Sequence, residues 1–345
     1  MKRVTKIGKR KNEHIKINLH KDVSSDLTSG LENYYFTHEG LPELDLDSID
    51  LSQSLFGKKV LAPILVSSMT GGTEKGYEIN RRLATAAQSM GIAMGVGSQR
   101  VALEDGSKTP TFAITRKSAP DILLFANLGA IQLNNGYSLD HCKRAIEMIE
   151  ADALIIHLNP LQEALQEDGN TNFAGLARKI EGICKNLDVP VIAKEIGWGI
   201  SQRTANILAD CGVAGIDVAG AGGTSWSQVE MYRSKSIQGQ ELAAAFTDWG
   251  IPTSDSILNV LKANPKITIF ASGGLKDGID IAKCIALGAS MGGMAGGILK
   301  AANESLGSVL DTLQLIKRQI QIAMFSCGAE NLASLKGKIA ARTRS

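Results

Sequence analysis

A closed (β/α)₈ barrel is the fold this sequence predicts, on two observations. From about residue 59 onward, short apolar runs alternate with amphipathic helical patterns, and eight such units follow one another. Apolar runs alternating with helices indicate parallel strands covered on their outer face, and eight of them match a barrel. The second observation is an absence: an open doubly wound sheet would carry a G-x-G-x-x-G turn near its start, and none stands there.

The eight expected strands are 59–69, 92–98, 122–130, 153–159, 189–197, 215–220, 267–274 and 290–297. Helical patterns fall between them at 76–90, 138–150, 173–187, 201–211, 254–263 and 278–287. Two segments break the repeat. Residues 1–58 are polar and basic and are expected to form an extension closing over the barrel mouth, with 59–345 as the barrel domain. Residues 224–253 interrupt the sixth unit, carry Trp226, Tyr232, Arg233 and Trp249, and are expected to act as a lid, since long insertions after a barrel strand lie on its catalytic face.

Composition narrows the function classes. A hydrophobic content of 44% with 21% charged residues suits a globular core, and 36 glycines with only 5% aromatics suit many tight loops that bring backbone against ligands. Net charge is only +2, so no global field points to nucleic acid or membrane. Basic residues do cluster, at Lys2, Arg3, Lys6, Lys9, Arg10 and Lys11 and again at Lys336, Lys338, Arg342 and Arg344. Neither cluster interleaves aromatics as a nucleic-acid arm would. The cysteines Cys142, Cys184, Cys211, Cys284 and Cys327 are scattered without paired spacing, which reads as small core residues rather than zinc or a redox pair. With no apolar run of membrane length and no signal-peptide pattern, the expected location is the cytoplasm.

In this fold chemistry gathers where strands end. The first strand ends in Ser67-Ser68-Met69-Thr70-Gly71-Gly72, small hydroxyls and glycines that let backbone lie against a flat ring, or else a plain turn. The second ends in Ser98-Gln99-Arg100, a hydroxyl, amide and guanidinium that suit an anionic oxygen. Asn127 closes the third. The fourth runs into His157-Leu158-Asn159-Pro160-Leu161-Gln162-Glu163, where alternation puts His157 and Asn159 on one face with an amide and a carboxylate following. One carboxylate among neutral oxygens, completed by substrate phosphate and water, suits Mg²⁺ rather than zinc. Lys194 sits in the apolar run of the fifth strand. It either pairs with an acid, Glu195 or Asp217, or points at a ligand such as a flavin ring, where its positive charge near the N1–C2 edge would stabilise the anionic reduced form. Glycines crowd the last strand ends at 220–223, 273–274 and 292–297, with Thr224 nearby, in the places where barrels of this type cradle a phosphate.

These residues together resemble the FMN-dependent type 2 isopentenyl-diphosphate isomerases over essentially the whole chain, from Arg10-Lys11-Asn12-Glu13-His14 through the Ser67–Gly72, Gly97–Arg100 and His157–Glu163 motifs to the 215–226 stretch. The resemblance implies interconversion of isopentenyl and dimethylallyl diphosphate without net redox change. It implies bound FMN that must be reduced, NADPH as reductant, Mg²⁺ on the diphosphate, and a homotetramer or homo-octamer. Moving a double bond needs one carbon protonated and another deprotonated, and reduced FMN is expected to be the acid–base catalyst. Carried over by position, Ser68, Met69, Thr70, Ser98, Asn127, Lys194, Thr224, Gly273, Gly274, Ala295 and Gly296 would line FMN. Arg10, Lys11, Ser98, Gln99, Arg100, His157, Asn159 and Gln162 would hold the substrate, and Glu163 the metal. Gln162 and Glu163 would relay the proton, with Thr70 or Glu230 contributing. Two rivals remain in view. An α-hydroxy-acid dehydrogenase on this scaffold needs a base beside the ring, commonly a late histidine, and none of the five histidines follows His157. A non-catalytic flavin binder would not need a carboxylate beside an amide pair.

Overall fold

The computed structural model describes residues 6–342; the basic residues Lys2, Arg3 and Arg344 lie outside them. Eight parallel strands close into a barrel in the order β10-β11-β4-β5-β6-β7-β8-β9. They are β4 (Ile64–Val66), β5 (Ala93–Gly95), β6 (Leu124–Gly129), β7 (Ala153–His157), β8 (Val191–Lys194), β9 (Gly215–Asp217), β10 (Thr268–Ser272) and β11 (Met291–Met294). Each is followed by a helix on the outside, from Glu74–Met90 after the first to Leu306–Ser326 after the last. Every expected strand is present, though shorter than its apolar run, because the polar strand ends leave the ladder to become loops.

Alternation along the strands divides two cores. Leu124, Ala126 and Leu128 of β6 face the helices, as do Leu154 and Ile156 of β7 and Ile269 and Ala271 of β10. Their neighbours Phe125, Ile155, Ile192 and Phe270 fill the barrel with Leu65 and Met291. Phe125 and Phe270 meet edge to face at 5.6 Å, a geometry that adds about 0.5–1.5 kcal/mol to simple burial. Advance two residues along each strand and the inner positions become Ser67, Asn127, His157, Lys194 and Ser272. The chain thus changes from an apolar plug to a polar floor within one step of strand pitch.

Two expectations need correction. The first run, 59–69, is not one strand: Lys58–Val60 (β3) pairs antiparallel with Gln53–Leu55 (β2), and β4 begins only at Ile64, after Pro63. This hairpin caps the lower end of the barrel, where Leu55, Phe56 and Val60 pack into the inner core. The extension 1–58 is likewise divided. Helix Lys6–His20 lies at the mouth, whereas Tyr34–Phe36 (β1) runs along the flank and pairs antiparallel with the C-terminal Ile339–Ala341 (β12). The 224–253 insertion folds as two short helices, Trp226–Arg233 and Ile237–Ala244, and the former contacts helix Pro160–Leu165 and helix Lys6–His20. No helix of the described residues is long and apolar enough to cross a membrane.

Candidate active site

One cavity of about 880 Å³ opens at the C-terminal ends of the strands. Its floor follows from sheet register. His157 pairs with Lys194 and Lys194 with Asp217 on three adjacent strands, so their side chains stand in one row inside the barrel. Lys194 Nζ is 2.9 Å from Asp217 Oδ2 and donates to Ser272 Oγ at 3.1 Å. Glu195, one residue further, faces the opposite way. Its Oε2 accepts the backbone N–H groups of Ile196, Gly197 and Trp198, shaping the loop after β8, while burial still raises its carboxyl to about 7. Asp217 is therefore the lysine's acid partner.

On the β6–β7 side, His157 Nδ1 lies 2.8 Å from Asn127 Oδ1. Burial, with Lys194, Lys11 and Arg10 nearby, lowers the imidazole to about 4, so it is neutral at physiological pH and serves as a hydrogen-bonding group. Beyond it the chain turns at Asn159 into helix Pro160–Leu165. This first turn buries Gln162 and Glu163 at 8% and 7% exposure, a level that carboxylates and amides tolerate only when bonded. Asn159 Nδ2 donates to Gln162 Oε1 at 3.1 Å and to Glu163 Oε1 at 3.0 Å, and Glu163 Oε2 accepts from the Asn170 backbone at 2.6 Å. Gln162 Nε2 in turn donates to Glu230 Oε1 at 3.0 Å.

Helix Lys6–His20 supplies the cavity's roof. Arg10 donates to Gln166 Oε1 at 2.7 Å; Lys11 Nζ donates to Ser98 O at 2.6 Å and Gly71 O at 3.1 Å. His14, one helical turn after Arg10, sets its ring edge-on to Trp226 at 5.1 Å. Burial lowers the Lys11 ammonium to about 7, with Arg10 adding to the fall, and lowers the Arg10 guanidinium as well. Arg100, held by Glu104 at 2.7 Å, is a third cation on this wall. Three positive groups gather at this partly buried corner, Arg100 paired with Glu104 and Arg10 within reach of the charges of Glu163 and Glu230; their mutual repulsion is relieved by an anion seated between them.

The opposite wall is glycine. Gly273 has φ +105°, and a Cβ there would lie 2.1 Å from Gly220 O, so only glycine lets the two loops meet. Gly274, Thr224 and the start of helix Gly296–Glu304, with Ala295 and Gly296 facing the cavity, complete a concave backbone surface at a helix N-terminus. The hydroxyls of Ser67 and Ser68 are buried at the cavity wall with no partner, as is Asn159 Oδ1. Buried unpaired polar atoms aimed into a cavity fit a ligand that bonds them. Serine hydroxyls, a lysine and a glycine cradle suit the polyol, ring edge and phosphate of a flavin mononucleotide. The oxygens of Glu163, Asn159 and Gln162 suit a hard divalent cation that also binds phosphate oxygens; no cluster of three or more acidic, histidine or cysteine side chains exists among the described residues.

The structure brings Ser68, Met69, Thr70, Ser98, Asn127, Lys194, Thr224, Gly273, Gly274, Ala295 and Gly296 to this cavity, together with Arg10, Lys11, Arg100, His157, Asn159, Gln162 and Glu163. Gln99 is a correction. Its side chain is fully buried away from the cavity, accepting from Asn127 N at 2.9 Å and donating to Ala145 O at 2.7 Å beneath helix Leu139–Ile149. It braces Asn127 rather than meeting substrate. Glu230 stands one layer behind the wall, against Gln162, His14 and Arg233. Burial opposes its ionisation, but these three partners together hold the carboxyl below its ordinary range. His14 and Gln166 were not singled out as contact residues, although the i, i+4 spacings from Arg10 and from Gln162 place them on the same helix faces.

Comparison with known proteins agrees with this chemistry. Residues 149–342, more than half the chain, match the family model of FMN-dependent dehydrogenase. Solved structures with the same architecture include a flavocytochrome b2 variant (TM-score 0.70, 15% identity, 95% of this chain and 82% of that one) and a mandelate oxidase variant (0.69, 17%, 98% and 100%). Fold and match define a flavin-binding barrel enzyme. Curated relatives are far closer: isopentenyl-diphosphate delta-isomerases from a Nostoc species (53% identity, 95% of this chain and 93% of theirs) and from Cronobacter sakazakii (48%, 96% and 95%). The chain belongs to the isopentenyl-diphosphate delta-isomerase family, of the FMN-dependent type 2 kind.

Proposed function

We propose that this enzyme interconverts isopentenyl and dimethylallyl diphosphate by adding a proton at one carbon and removing one from another. The observation that carries the reading is a cavity with a glycine-rich backbone surface on one wall, Arg10, Lys11 and Arg100 on the other, and the Asn159–Gln162–Glu163 group at the same mouth. Reduced FMN, when bound in this cavity, would supply negative charge and acid–base chemistry to the reaction. The chain's residues do the rest. Ser67 and Ser68 take the polyol, Lys194 the ring edge, and Gly273, Gly274 and Gly296 the phosphate through backbone N–H groups. Arg10, Lys11, Ser98 and Arg100 hold the diphosphate, and Glu163 with Asn159 Oδ1 holds Mg²⁺ against its oxygens. Gln162 gives a hydrogen bond to Glu230 and accepts one from Asn159, so its amide is fixed at both ends and the ionised Glu230 is the acceptor at the end of that chain. Helix Lys6–His20 excludes water, which protects a cationic hydrocarbon from capture. NADPH keeps the flavin reduced, and the chain assembles as a homotetramer or homo-octamer in the cytoplasm.

The hydroxy-acid dehydrogenase reading is weaker on two counts: no histidine follows His157, and His157 itself is too weak a base at about 4. Incubating the protein with FMN, excess NADPH, Mg²⁺ and isopentenyl diphosphate, and following the isomer by NMR, separates the two. Product without stoichiometric NADPH loss is expected; one NADPH consumed per turnover would favour redox chemistry.

Two predictions arise here. Glu163→Gln should raise the Mg²⁺ concentration for half-maximal activity by about tenfold or more, since it removes the carboxylate that the protein contributes to the proposed site; an unchanged metal titration would take Glu163 out of the metal site. The second concerns pH. The Lys11 ammonium of the free enzyme is lowered to about 7, so it is charged below that pH and neutral above it. Because kcat/KM reports free-enzyme groups, it should fall as pH rises through about 7, and Lys11→Arg should move the fall to higher pH. A profile identical in the variant would assign the fall to another group.

A further inference from the structure

The floor of the cavity holds a three-residue device beneath the residues assigned to the substrate above. Lys194 ends β8, Asp217 ends β9 and Ser272 ends β10; Lys194 and Asp217 are in register, and Ser272 is the next inward-facing position beyond Phe270, Asp217's register partner on β10. An ammonium has three N–H donors. Ser272 Oγ accepts one at 3.1 Å and donates its own O–H to Asp217 Oδ1 at 2.7 Å. Asp217 Oδ2 lies 2.9 Å from Nζ as a counter-charge but off the hydrogen-bonding direction, and has no other partner. The ammonium therefore keeps donors for the cavity that it lines, while its charge is balanced from behind by a carboxylate that is 1% exposed. Two further contacts fix the device in place. Asp217 Oδ1 also takes the N–H of Ala219, a residue at φ +36° on the cavity wall. Gly293 leaves room for Ser272, since a Cβ there would sit 2.9 Å from Ser272 Cβ and 2.6 Å from Ser67 Oγ.

We infer that Asp217 and Ser272 are positioning residues that aim the Lys194 ammonium at the flavin ring and partly cancel its charge, so that they set the reduction potential of bound FMN. This rests on the placement of the flavin ring over Lys194 proposed above. Without Asp217 the cavity floor would carry a full uncompensated positive charge, and the reduced, more negative flavin would be favoured further. Without Ser272 both charges remain, but the lysine loses the bond that orients it.

The test is the midpoint potential and dissociation constant of FMN in reconstituted holoenzyme, read by equilibration with a reference dye. Asp217→Asn keeps an acceptor oxygen for Ser272 and Ala219 and removes the negative charge, setting a neutral amide N–H2 in place of Oδ2 beside Lys194. It is expected to shift bound flavin toward the reduced form by about tenfold at fixed dye potential. Ser272→Ala is expected to weaken FMN binding severalfold with little change in melting temperature, and it keeps the inference testable should Asp217→Asn fold poorly. Lys194→Met is the control for the underlying placement and should shift the flavin toward the oxidised form. If Lys194→Met moves the potential but Asp217→Asn leaves it unchanged or lowers it, the inference is overturned; unchanged FMN affinity in Ser272→Ala overturns it equally. If Lys194→Met changes neither potential nor affinity, the flavin placement itself is wrong.

Discussion

Gln162→Asn is expected to lower kcat by about two to four orders of magnitude, the range associated with loss of a positioned proton-transfer group, while FMN affinity stays nearly intact. The reasoning is geometric. Gln162 is buried, and its amide spans Asn159 Nδ2 at 3.1 Å and Glu230 Oε1 at 3.0 Å. Asparagine keeps the amide but shortens its reach by one methylene, so it cannot serve both partners from the same helical position. Glu230 would then be left with Arg233 and His14, cut off from the cavity. Because neither partner of Gln162 belongs to the glycine cradle, flavin binding has no reason to follow. Single-turnover kinetics of isomer formation beside a flavin titration checks this. Lost FMN binding with intact chemistry would place Gln162 on the wrong ligand.

Gly273→Ala is expected to weaken FMN binding by about two orders of magnitude or more, roughly 3 kcal/mol. The new methyl would lie 2.1 Å from Gly220 O and 2.5 Å from Gly220 N, at a φ of +105° that side chains rarely adopt. Both are backbone atoms, so no side-chain rotation relieves the clash, and the β9 and β10 loops must separate. The β10 loop carries Gly273 and Gly274, which the proposed reading assigns to the FMN phosphate. The barrel core below ends at Ser272, so circular dichroism should remain close to that of the parent protein while flavin fluorescence quenching is lost. Unaltered FMN affinity in a folded variant would move the phosphate elsewhere.

Much of the site was legible because a barrel strand writes its two faces into alternate residues. Leu154, Ile156 and their inner partners Ala153, Ile155 and His157 could be assigned from period alone, and the change from Ile192 to Lys194 marks the floor of the cavity on one strand. The same rule decides between Glu195 and Asp217 as the lysine's partner, since adjacent residues on a strand face opposite ways. Gln99 was misread because the rule fails where a strand becomes a helix. Ser98 faces the mouth, but at the start of helix Arg100–Glu104 the next side chain turns down beneath helix Leu139–Ile149. The hairpin of β2 and β3 was hidden for a different reason: its second strand, Lys58–Val60, runs into β4 with only Leu61, Ala62 and Pro63 between, and its packing partners lie inside the barrel. The pairing of Tyr34–Phe36 with Ile339–Ala341 joins opposite ends of the chain, which no local pattern reveals.

The most direct measurement is a titration of flavin-free protein with FMN, followed by displacement of the substrate analogue inorganic pyrophosphate in the presence of Mg²⁺. A shared mouth predicts a yellow, saturable complex, with pyrophosphate binding to it that is lost in Arg10→Ala while the colour is kept. A protein that stays colourless at any reasonable FMN concentration would contradict the account at its root.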